Sequence, residues 1–329
     1  MIYITGDTHG EYGRFSKRRM RTQGMELTEE DYVIVCGDFG LCWQNNATFR
    51  YECEFFAGKP FTVLWVQGNH ENYDFISEFE IEEWNGGKVR HIVRDKVILL
   101  ERGQVFTIEG KTFFTFGGAA SHDIQGGVLD RKDPNYDNLV KKAKKERLPY
   151  RILRESWWPE ELPSEEEMQE GIRNLEKVNY KVDYVISHCC STRVQDTLNP
   201  APYKLFAADV LTEYFEQLEE KLEFADWYFG HYHMDQRIDD KHMLLYETIV
   251  KLEQKETDAT GIPRIGHPKY QWRNRVRFVF REEELEGIIQ VVDAWGTFEQ
   301  NEEPSYDILC EKKNCLYKHV LESEIIELM

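Results

Sequence analysis

Several features that mark other protein classes are missing from this sequence of 329 residues. No stretch approaches the roughly 20 consecutive apolar residues that a membrane-spanning helix needs. The chain begins with the strand-like "MIYI" and not with a basic, then apolar leader, so we expect a cytoplasmic protein with no membrane partner. The cysteines show no C-x-x-C spacing, which argues against a structural zinc site and favours reduced thiols.

Positive charge is also scarce, with 41 Lys and Arg against 60 Asp and Glu and a formal net charge of −19. Long-range repulsion therefore opposes generic binding to nucleic acid or anionic membranes. A local basic groove stays compatible with this charge, because basic clusters occur at residues 14–21, 141–147 and 273–281. The last two are best interpreted as solvated faces, whereas the first directly follows the stretch "GDTHGEY" and is expected near it.

Apolar, β-branched runs recur along the chain, and each is followed by a polar residue. They are "MIYITGD", "DYVIVCGD", "FTVLWVQGNH", "KTFFTFGG", "VDYVISHC" and "ADWYFGHYH", and they predict buried strands. Helical patterns lie between several of them, at "LTEEDY", "ATFRYECEFFAG" and "SEEEMQEGIRNLEKV". The last opens with Ser164 three residues before Glu167, a capping-box signature. This alternation predicts a layered α/β fold with ligands at the carboxyl ends of strands.

The texture changes near residue 250, which predicts a domain of residues 1–250. Residues 251–267 are polar and contain Gly and Pro, so they are interpreted as a linker. Residues 268–329 are expected to form a small, mainly β module of unknown purpose. Its predicted strands are "RVRFVF", "GIIQVVDAWGTF" and "SYDILC", and "LYKHVLESEIIEL" is expected to close the chain as a helix.

The polar residues at the strand ends are of the types that bind divalent first-row metals. Each motif alone is weak, since a D-x-H triplet is frequent by chance and a lone histidine is more often a packing residue. Five such motifs in a row, each after an apolar strand, are difficult to explain without a metal site. They comprise Asp7 and His9, Asp38, Asn69 to Glu71, His188, and His231 with His233.

This order of motifs, D-x-H, G-D, G-N-H-E, H and G-H-x-H, resembles the calcineurin-like metallophosphoesterase superfamily over residues 1 to about 250. The resemblance implies a four-layer fold with two central mixed β-sheets flanked by helices. It also implies two divalent ions, with Mn²⁺ favoured and Fe, Zn, Ni or Mg as alternatives. The implied ligands are Asp7, His9 and His233 for the first ion, Asn69, His188 and His231 for the second, and Asp38 as the bridge between them.

The resemblance further implies hydrolysis of phosphate esters. Two ions about 3.5–4 Å apart can share a bridging hydroxide and clamp the phosphate oxygens. Asp38 would hold the ions at that distance, and His70 would act as general acid on the leaving oxygen. A phosphodiester is the favoured substrate. A phosphomonoesterase and a non-catalytic metal-binding scaffold are the alternatives, although the intact His70 weighs against the scaffold.

One departure from the family pattern narrows the subclass. The stretch "GDFGLCW" has Leu41 and Cys42 where the protein-phosphatase subclass carries an Asp and an Arg. A bacterial-type member is therefore expected, and the group that orients His70 must come from elsewhere. A small-molecule or nucleotide substrate is favoured over nucleic acid, and the oligomeric state is left open.

Two further loops are candidate contacts to substrate. The stretch "FTFGGAASHDIQGG" is similar to one in many bacterial members and places His122 and Asp123 after a strand, as candidate substrate-binding residues beside Ser121. The alternative is a glycine-rich loop with its own hydrogen bonds. In "ESWWPEELP" the tryptophan pair Trp157 and Trp158 could form a substrate wall, but packing of the loop is the preferred interpretation. Trp43 either lines the cleft or packs in the core.

Overall fold

The computed structural model describes residues 1–198, 206–252, 268–281, 283–293 and 303–329. The chain divides into two compact units, Met1–Leu252 and Glu253–Met329. The linker predicted at residues 251–267 lies outside the described residues, apart from its first two positions. The predicted boundaries at 250 and 268 therefore stay a prediction.

Fifteen strands occur among the described residues of the first unit. Most are short, and those that precede the motif loops are fully buried or nearly so. In chain order they are β1 (Ile2–Thr5), β2 (Tyr32–Val35), β3 (Thr62–Trp65), β4 (Ile81–Trp84), β5 (Gly87–Val93), β6 (Val97–Leu100), β7 (Gln104–Ile108), β8 (Lys111–Phe116), β9 (Val128–Leu129), β10 (Arg151–Ile152), β11 (Tyr184–Ser187), β12 (Asp226–Phe229), β13 (Gln236–Arg237), β14 (His242–Leu244) and β15 (Ile249–Lys251).

These strands build two mixed sheets and one short parallel pair, β9 with β10. The first sheet has the order β15-β1-β2-β3-β6-β5-β4, and β1, β2, β3 and β6 run parallel. The second has the order β13-β14-β12-β11-β8-β7, and β14, β12, β11 and β8 run parallel. Parallel strands buried on both faces read as continuous apolar runs, and all six predicted strands are confirmed.

Five of the helices described in the first unit, α1, α2, α3, α5 and α7, begin at a polar residue whose side chain accepts a backbone hydrogen bond. Asn46 accepts a hydrogen bond from the Phe49 amide at the start of α2, and Ser164 and Glu167 form the predicted capping box of α5. The helices are α1 (Lys17–Thr22), α2 (Ala47–Ala57), α3 (Tyr73–Ile76), α4 (Tyr136–Glu146), α5 (Glu165–Lys177), α6 (Thr192–Leu198) and α7 (Val210–Glu219).

Three apolar clusters show the layering of this unit. One cluster lies between the two sheets and includes Ile4 and Leu64 of the first and Phe113 and Ile186 of the second. A second cluster covers the outer face of the first sheet with residues of α1 to α3, and a third covers the second sheet with residues of α5 to α7. Each fully buried aliphatic side chain contributes roughly 1.5–3 kcal/mol. The predicted four-layer α/β fold with two central mixed sheets is confirmed.

A buried cluster of charged groups joins β14 of the second sheet to the end of α7. The His242 side chain is buried, with Nδ1 2.9 Å from Asp239 Oδ1 and Nε2 3.2 Å from Glu219 Oε1. Burial lowers the pKa of His242, but the hydrogen bond between Nδ1 and Asp239 and the nearby charge of the Glu219 carboxylate overcome that effect and raise the pKa above its ordinary value.

The second unit is an antiparallel sheet over the residues that are described there, with the order β19-β18-β17-β16-β20. Its core includes Phe278, Ile289, Tyr306, Ile308 and Val320. The predicted β character of this module is confirmed. The strands are β16 (Arg275–Phe280), β17 (Glu283–Asp293), β18 (Ser305–Cys310), β19 (Cys315–Leu321) and β20 (Ile325–Leu328).

Two predicted helices are wrong. The closing stretch "LYKHVLESEIIEL" forms β19 and β20, which pair with β18 and β16 on either side of a short 3₁₀ turn at Glu322–Glu324. Sheet pairing outweighs a periodicity that is ambiguous over so few residues. The stretch "LTEEDY" is a turn that leads into β2, because the Asp31 carboxylate accepts from the Thr28 amide and hydroxyl, an alternative to helical bonding.

Candidate metal centre

The motif loops of both sheets meet at one edge. They follow the parallel strands β1, β2 and β3 of the first sheet and β11 and β12 of the second. Parallel strands present their carboxyl ends at the same edge, which is where open α/β sheets bind ligands. Three groups of side chains there hold ligand atoms within 4.8 Å of one another: Asp7, His9 and His233; His9, Asp38 and His70; and Asp7, Asp38 and His188.

Asp38 lies at the middle of this arrangement and is 1% exposed. Its Oδ1 accepts a hydrogen bond from the His70 amide at 2.7 Å. Its Oδ2 is 3.4 Å from His188 Nε2 and 3.8 Å from His9 Nδ1, yet it accepts no hydrogen bond from any described residue. Burial favours the neutral acid, but the surrounding imidazoles hold the pKa of Asp38 well below its ordinary value.

The side chain of Asp7 contacts three histidine residues, two through their imidazole rings and one through its backbone amide. Its Oδ2 is 3.2 Å from His233 Nε2 and 3.7 Å from His9 Nε2, and its Oδ1 accepts from the His231 amide at 3.0 Å. The Nε2 atoms of His9 and His233 are 2.9 Å apart. Two imidazole nitrogens and one buried carboxylate oxygen at these distances could all coordinate the same cation.

The second group of predicted ligands is more deeply buried. His188 Nδ1 is 2.7 Å from the Cys36 carbonyl, and its Nε2 is 3.2 Å from Asn69 Oδ1. Burial opposes protonation of His188, but the carboxylates of Asp38 and Asp7 raise its pKa to about 9. Burial lowers the pKa of His231 well below its ordinary value, so its imidazole is neutral and available as a ligand.

The backbone at these loops adopts conformations that non-glycine residues avoid. His9, Asp38, His231 and His233 all have positive φ, at 47°, 47°, 71° and 50°. Such conformations cost of the order of 1–3 kcal/mol each and cluster at functional sites. Four such residues in the motif loops are therefore consistent with a functional site.

Glycines in the motifs provide the room for the carboxylates. A Cβ atom at Gly68 would lie 2.0 Å from Asp38 Oδ1, and one at Gly230 would lie 2.0 Å from Asp7 Oδ1. No side chain fits at either position without displacing a proposed ligand. Gly68 in the third motif and Gly230 in the fifth are therefore required, because the carboxylates of Asp38 and Asp7 approach their Cα atoms too closely for any side chain.

Arg151, on the short strand β10, contacts His70 and was not predicted from the sequence. Its Nη2 lies 3.3 Å from both ring nitrogens of His70, and its Nε and Nη2 donate to Asp123 at 2.9 and 2.6 Å. Burial lowers the pKa of His70; the Arg151 cation lowers it further, and Asp38 opposes the shift. No local motif marks Arg151, because its partners lie 81 and 28 positions away.

The candidate substrate residues lie at the edge of this site. The carboxylate of Asp123 is engaged by Arg151, while the exposed His122 ring is 5.4 Å from that of His231, centroid to centroid. Asp123 therefore reaches the site through Arg151, and its direct role toward substrate stays a prediction, as does that of His122.

A second unpredicted residue, Glu161, lies behind the loop that carries Ser121. The Glu161 side chain is 2% exposed and accepts hydrogen bonds from the Ser121 amide and hydroxyl at 2.8 and 2.6 Å. Ser121 in turn lies 3.3 Å from Asn69 Nδ2. In the sequence, Glu161 is one of several acidic residues in a loop, and nothing distinguishes it from the others.

The tryptophan pair supports the packing interpretation for Trp158. Its side chain is 1% exposed, its Nε1 donates to Asp74, and its ring and that of Trp43 meet edge to face at a centroid distance of 5.5 Å.

The first basic cluster does lie close to the site. Its Arg14 supports the loop of the first motif by donating to the Asp7 carbonyl at 2.8 Å.

The donor set fits divalent metal ions. It combines carboxylate oxygens, imidazole nitrogens and one amide oxygen, which suit divalent first-row metals. The buried Asp38 Oδ2 has no hydrogen-bond donor among the residues described, and an uncompensated buried carboxylate oxygen is costly unless a cation is bound. The fold and this site together define a metallophosphoesterase.

Comparisons with known proteins identify the family. A model of the calcineurin-like phosphoesterase family matches residues 1–235, and the chain belongs to that family. Among solved structures it is similar to a phosphopantetheinyl hydrolase from Mycobacterium tuberculosis, with 14% identity, a TM-score of 0.34, and coverage of 74% of this chain and 87% of that one. No curated protein matches the sequence. Membership of this family supports metal-dependent hydrolysis of phosphate esters.

No helix within the described ranges has both the length and the apolar character that crossing a membrane requires.

Proposed function

We propose that this chain hydrolyses phosphodiesters by means of two divalent metal ions, with Mn²⁺ as the preferred ion. The observation that carries the proposal is the position of Asp38, whose side chain lies between ligand candidates from both sheets. The proposed ligands are Asp7, His9 and His233 for one ion, Asn69, His188 and His231 for the other, and Asp38 for both.

When bound, two such ions supply a nucleophilic hydroxide at neutral pH and neutralise charge on the phosphate. The chain's own groups then act on the leaving side of the ester. His70 would donate a proton to the leaving oxygen. Its lowered pKa makes it a stronger proton donor, with a smaller protonated fraction at neutral pH. Arg151 is held against His70 and would hydrogen-bond a non-bridging phosphate oxygen.

One feature beside the proposed ion sites favours a diester over a monoester. Arg151 is paired with Asp123, so this pair adds no net positive charge to the site. A diester carries one negative charge, whereas a monoester near pH 7 carries about 1.5 to 2. Apart from the ions themselves, the Arg151–Asp123 pair therefore offers no extra cation to the second negative charge of a monoester. A cytoplasmic location and a small-molecule or nucleotide substrate stay predictions of the sequence.

The test compares bis-p-nitrophenyl phosphate with p-nitrophenyl phosphate after chelation and reloading with Mn²⁺. Faster hydrolysis of the diester would support the proposal. Faster hydrolysis of the monoester would favour a phosphomonoesterase, and activity on neither would favour the metal-binding scaffold.

A substitution tests the role of His70. We expect His70→Ala to keep both metal ions and to lose about 10²–10⁴-fold in kcat, the usual contribution of a general acid. His91→Ala is the matched control, because His91 lies on β5 outside the motif loops. Full turnover by His70→Ala on a substrate with a poor leaving group would contradict this role.

A further inference from the structure

We propose that Glu161, acting through Ser121, fixes which end of the Asn69 amide faces the metal centre. Glu161 is thus a positioning residue for the second ion. The inference rests on the proposed function, in which the Asn69 oxygen is a ligand of that ion.

The three side chains form a buried chain of hydrogen bonds. Asn69 Nδ2 lies 3.3 Å from the Ser121 hydroxyl, which itself lies 2.6 Å from Glu161 Oε2. The other carboxylate oxygen of Glu161 accepts from the Ser121 amide at 2.8 Å. Their exposed fractions are 3%, 6% and 2%, so water competes poorly for these groups.

The number of protons sets the direction of the chain. A serine hydroxyl has one proton to donate. Burial raises the pKa of Glu161, while the hydrogen bonds that it accepts from the Ser121 hydroxyl and amide oppose that shift and favour the ionised carboxylate, which can only accept. Because the Ser121 proton is committed to Glu161, the hydroxyl can only accept from Asn69. The NH₂ end of the amide must therefore face Ser121, and Oδ1 turns to the opposite side, 3.2 Å from His188 Nε2.

This direction matters because the two ends of an amide have nearly the same shape and opposite polarity. A cation binds the carbonyl oxygen, while the NH₂ end would repel it. An Asn69 side chain that could flip would therefore spend part of its time in an orientation that excludes the ion. Partners that orient metal ligands typically contribute 10–100-fold to affinity.

The loop that carries Glu161 is itself fixed by a buried arginine. Arg102 donates through Nη2 to the Glu160 and Glu161 carbonyls at 2.7 and 3.2 Å, and through Nε to the Gly117 carbonyl at 2.9 Å. Arg102 thus ties the Glu161 loop to the strand end that leads into Ser121. The carboxylate is placed by backbone contacts on both sides of the chain of hydrogen bonds.

Glu161→Gln reverses the polarity without changing the shape. The Ser121 amide can only donate, so it takes the glutamine oxygen. The new NH₂ group then donates to the Ser121 hydroxyl, whose proton is released toward Asn69. That arrangement favours the flipped amide, with nitrogen toward the centre.

The experiment measures metal binding directly. Chelated proteins are dialysed against a series of Mn²⁺ concentrations, and the bound metal is counted by elemental analysis. We expect the wild type to bind two ions and Glu161→Gln to bind one of them about 10–100-fold more weakly. Glu160→Gln is the matched control, since its side chain pairs with Arg154 away from this chain of hydrogen bonds.

A rescue separates orientation from a general structural effect. An aspartate has oxygen at both ends, so Asn69→Asp in the Glu161→Gln background can accept from Ser121 and still face the ion with oxygen. We expect it to restore binding there, and to weaken binding in the wild type, where two acceptors would share one serine proton.

Several outcomes would overturn the inference. Equal affinity for both ions in Glu161→Gln, or no restoration by Asn69→Asp, would do so while the two-ion proposal stands. A wild type that binds a single ion would overturn both. If Glu161→Gln does not fold, Ser121→Ala replaces it, because it removes the acceptor for Asn69 but keeps the backbone amide that donates to Glu161. Unchanged metal affinity in Ser121→Ala would then refute the inference.

Discussion

Replacing Arg151 with methionine should slow phosphoester hydrolysis while leaving metal binding intact. Methionine keeps much of the aliphatic length and removes the guanidinium that lies 3.3 Å from both ring nitrogens of His70. The Arg151 side chain is 14% exposed, so the contact is made in a partly dehydrated setting, where charged hydrogen bonds are stronger than in water.

The expected loss of rate follows from the hydrogen bond that Arg151 would donate to the phosphate and that methionine cannot make. A hydrogen bond to a charged group is worth roughly 1.5–3 kcal/mol. Since each 1.36 kcal/mol is a factor of ten in rate, kcat/KM should fall by about 10- to 160-fold. Part of that loss has a second origin, because Asp123 is left as an unpaired negative charge close to a negatively charged substrate.

The assay is hydrolysis of bis-p-nitrophenyl phosphate by metal-reloaded protein, with two further variants for comparison. Arg131→Met is the matched control, since Arg131 pairs with Glu155 at the surface. The double variant Arg151→Met with Asp123→Asn should recover part of the lost rate by removing the orphaned carboxylate. A rate for Arg151→Met within twofold of the wild type would refute the reasoning.

Three further outcomes are expected. Asp38→Asn should lower metal occupancy itself, counted by elemental analysis after dialysis, and full occupancy would contradict the bridging role. Gly230→Ala should also reduce metal binding, because its Cβ would lie 2.0 Å from Asp7 Oδ1, whereas Gly13→Ala meets nothing within 4 Å and should not. His242→Gln should destabilise the chelated protein by roughly 1.5–3 kcal/mol at about pH 6. Because the folded pKa of His242 is raised above its unfolded value of about 6.5, this difference should shrink as pH rises through the folded pKa. Urea unfolding at about pH 6 and 9 measures it, and a difference that grows with pH would contradict the assignment.

The fold of the first unit was predictable because its central strands are buried on both faces. In the sequence, strands such as β3 are short, mostly apolar runs. The start of α5 is predictable from the spacing of Ser164 and Glu167, which form a capping box. The closing β-strands of the second unit were not predictable, because β20 has only four residues and three of them are exposed. Over so short a run, pairing with a distant strand decides the conformation.

The two kinds of site residue differ in how visible they are to sequence reasoning. Asp7 and His9 stand at a strand end in a recognisable motif, so their proximity to the other motif residues could be anticipated. Arg151 and Glu161 contact residues 81 and 40 positions away, and nothing in their immediate sequence neighbours distinguishes them from the other arginines and glutamates of the chain. Their roles depend on three-dimensional placement alone.

The contact between Asp7 and the His231 amide joins residues 224 positions apart. Contacts this distant in sequence form late, because the entropy of closing so long a loop must be overcome before they contribute any stability. During synthesis, a chain that has emerged only through the first sheet would carry Asp7, Asp38 and Asn69 without the histidines of the second sheet. In the proposed two-ion site, binding of both ions would therefore report that the whole first unit has folded.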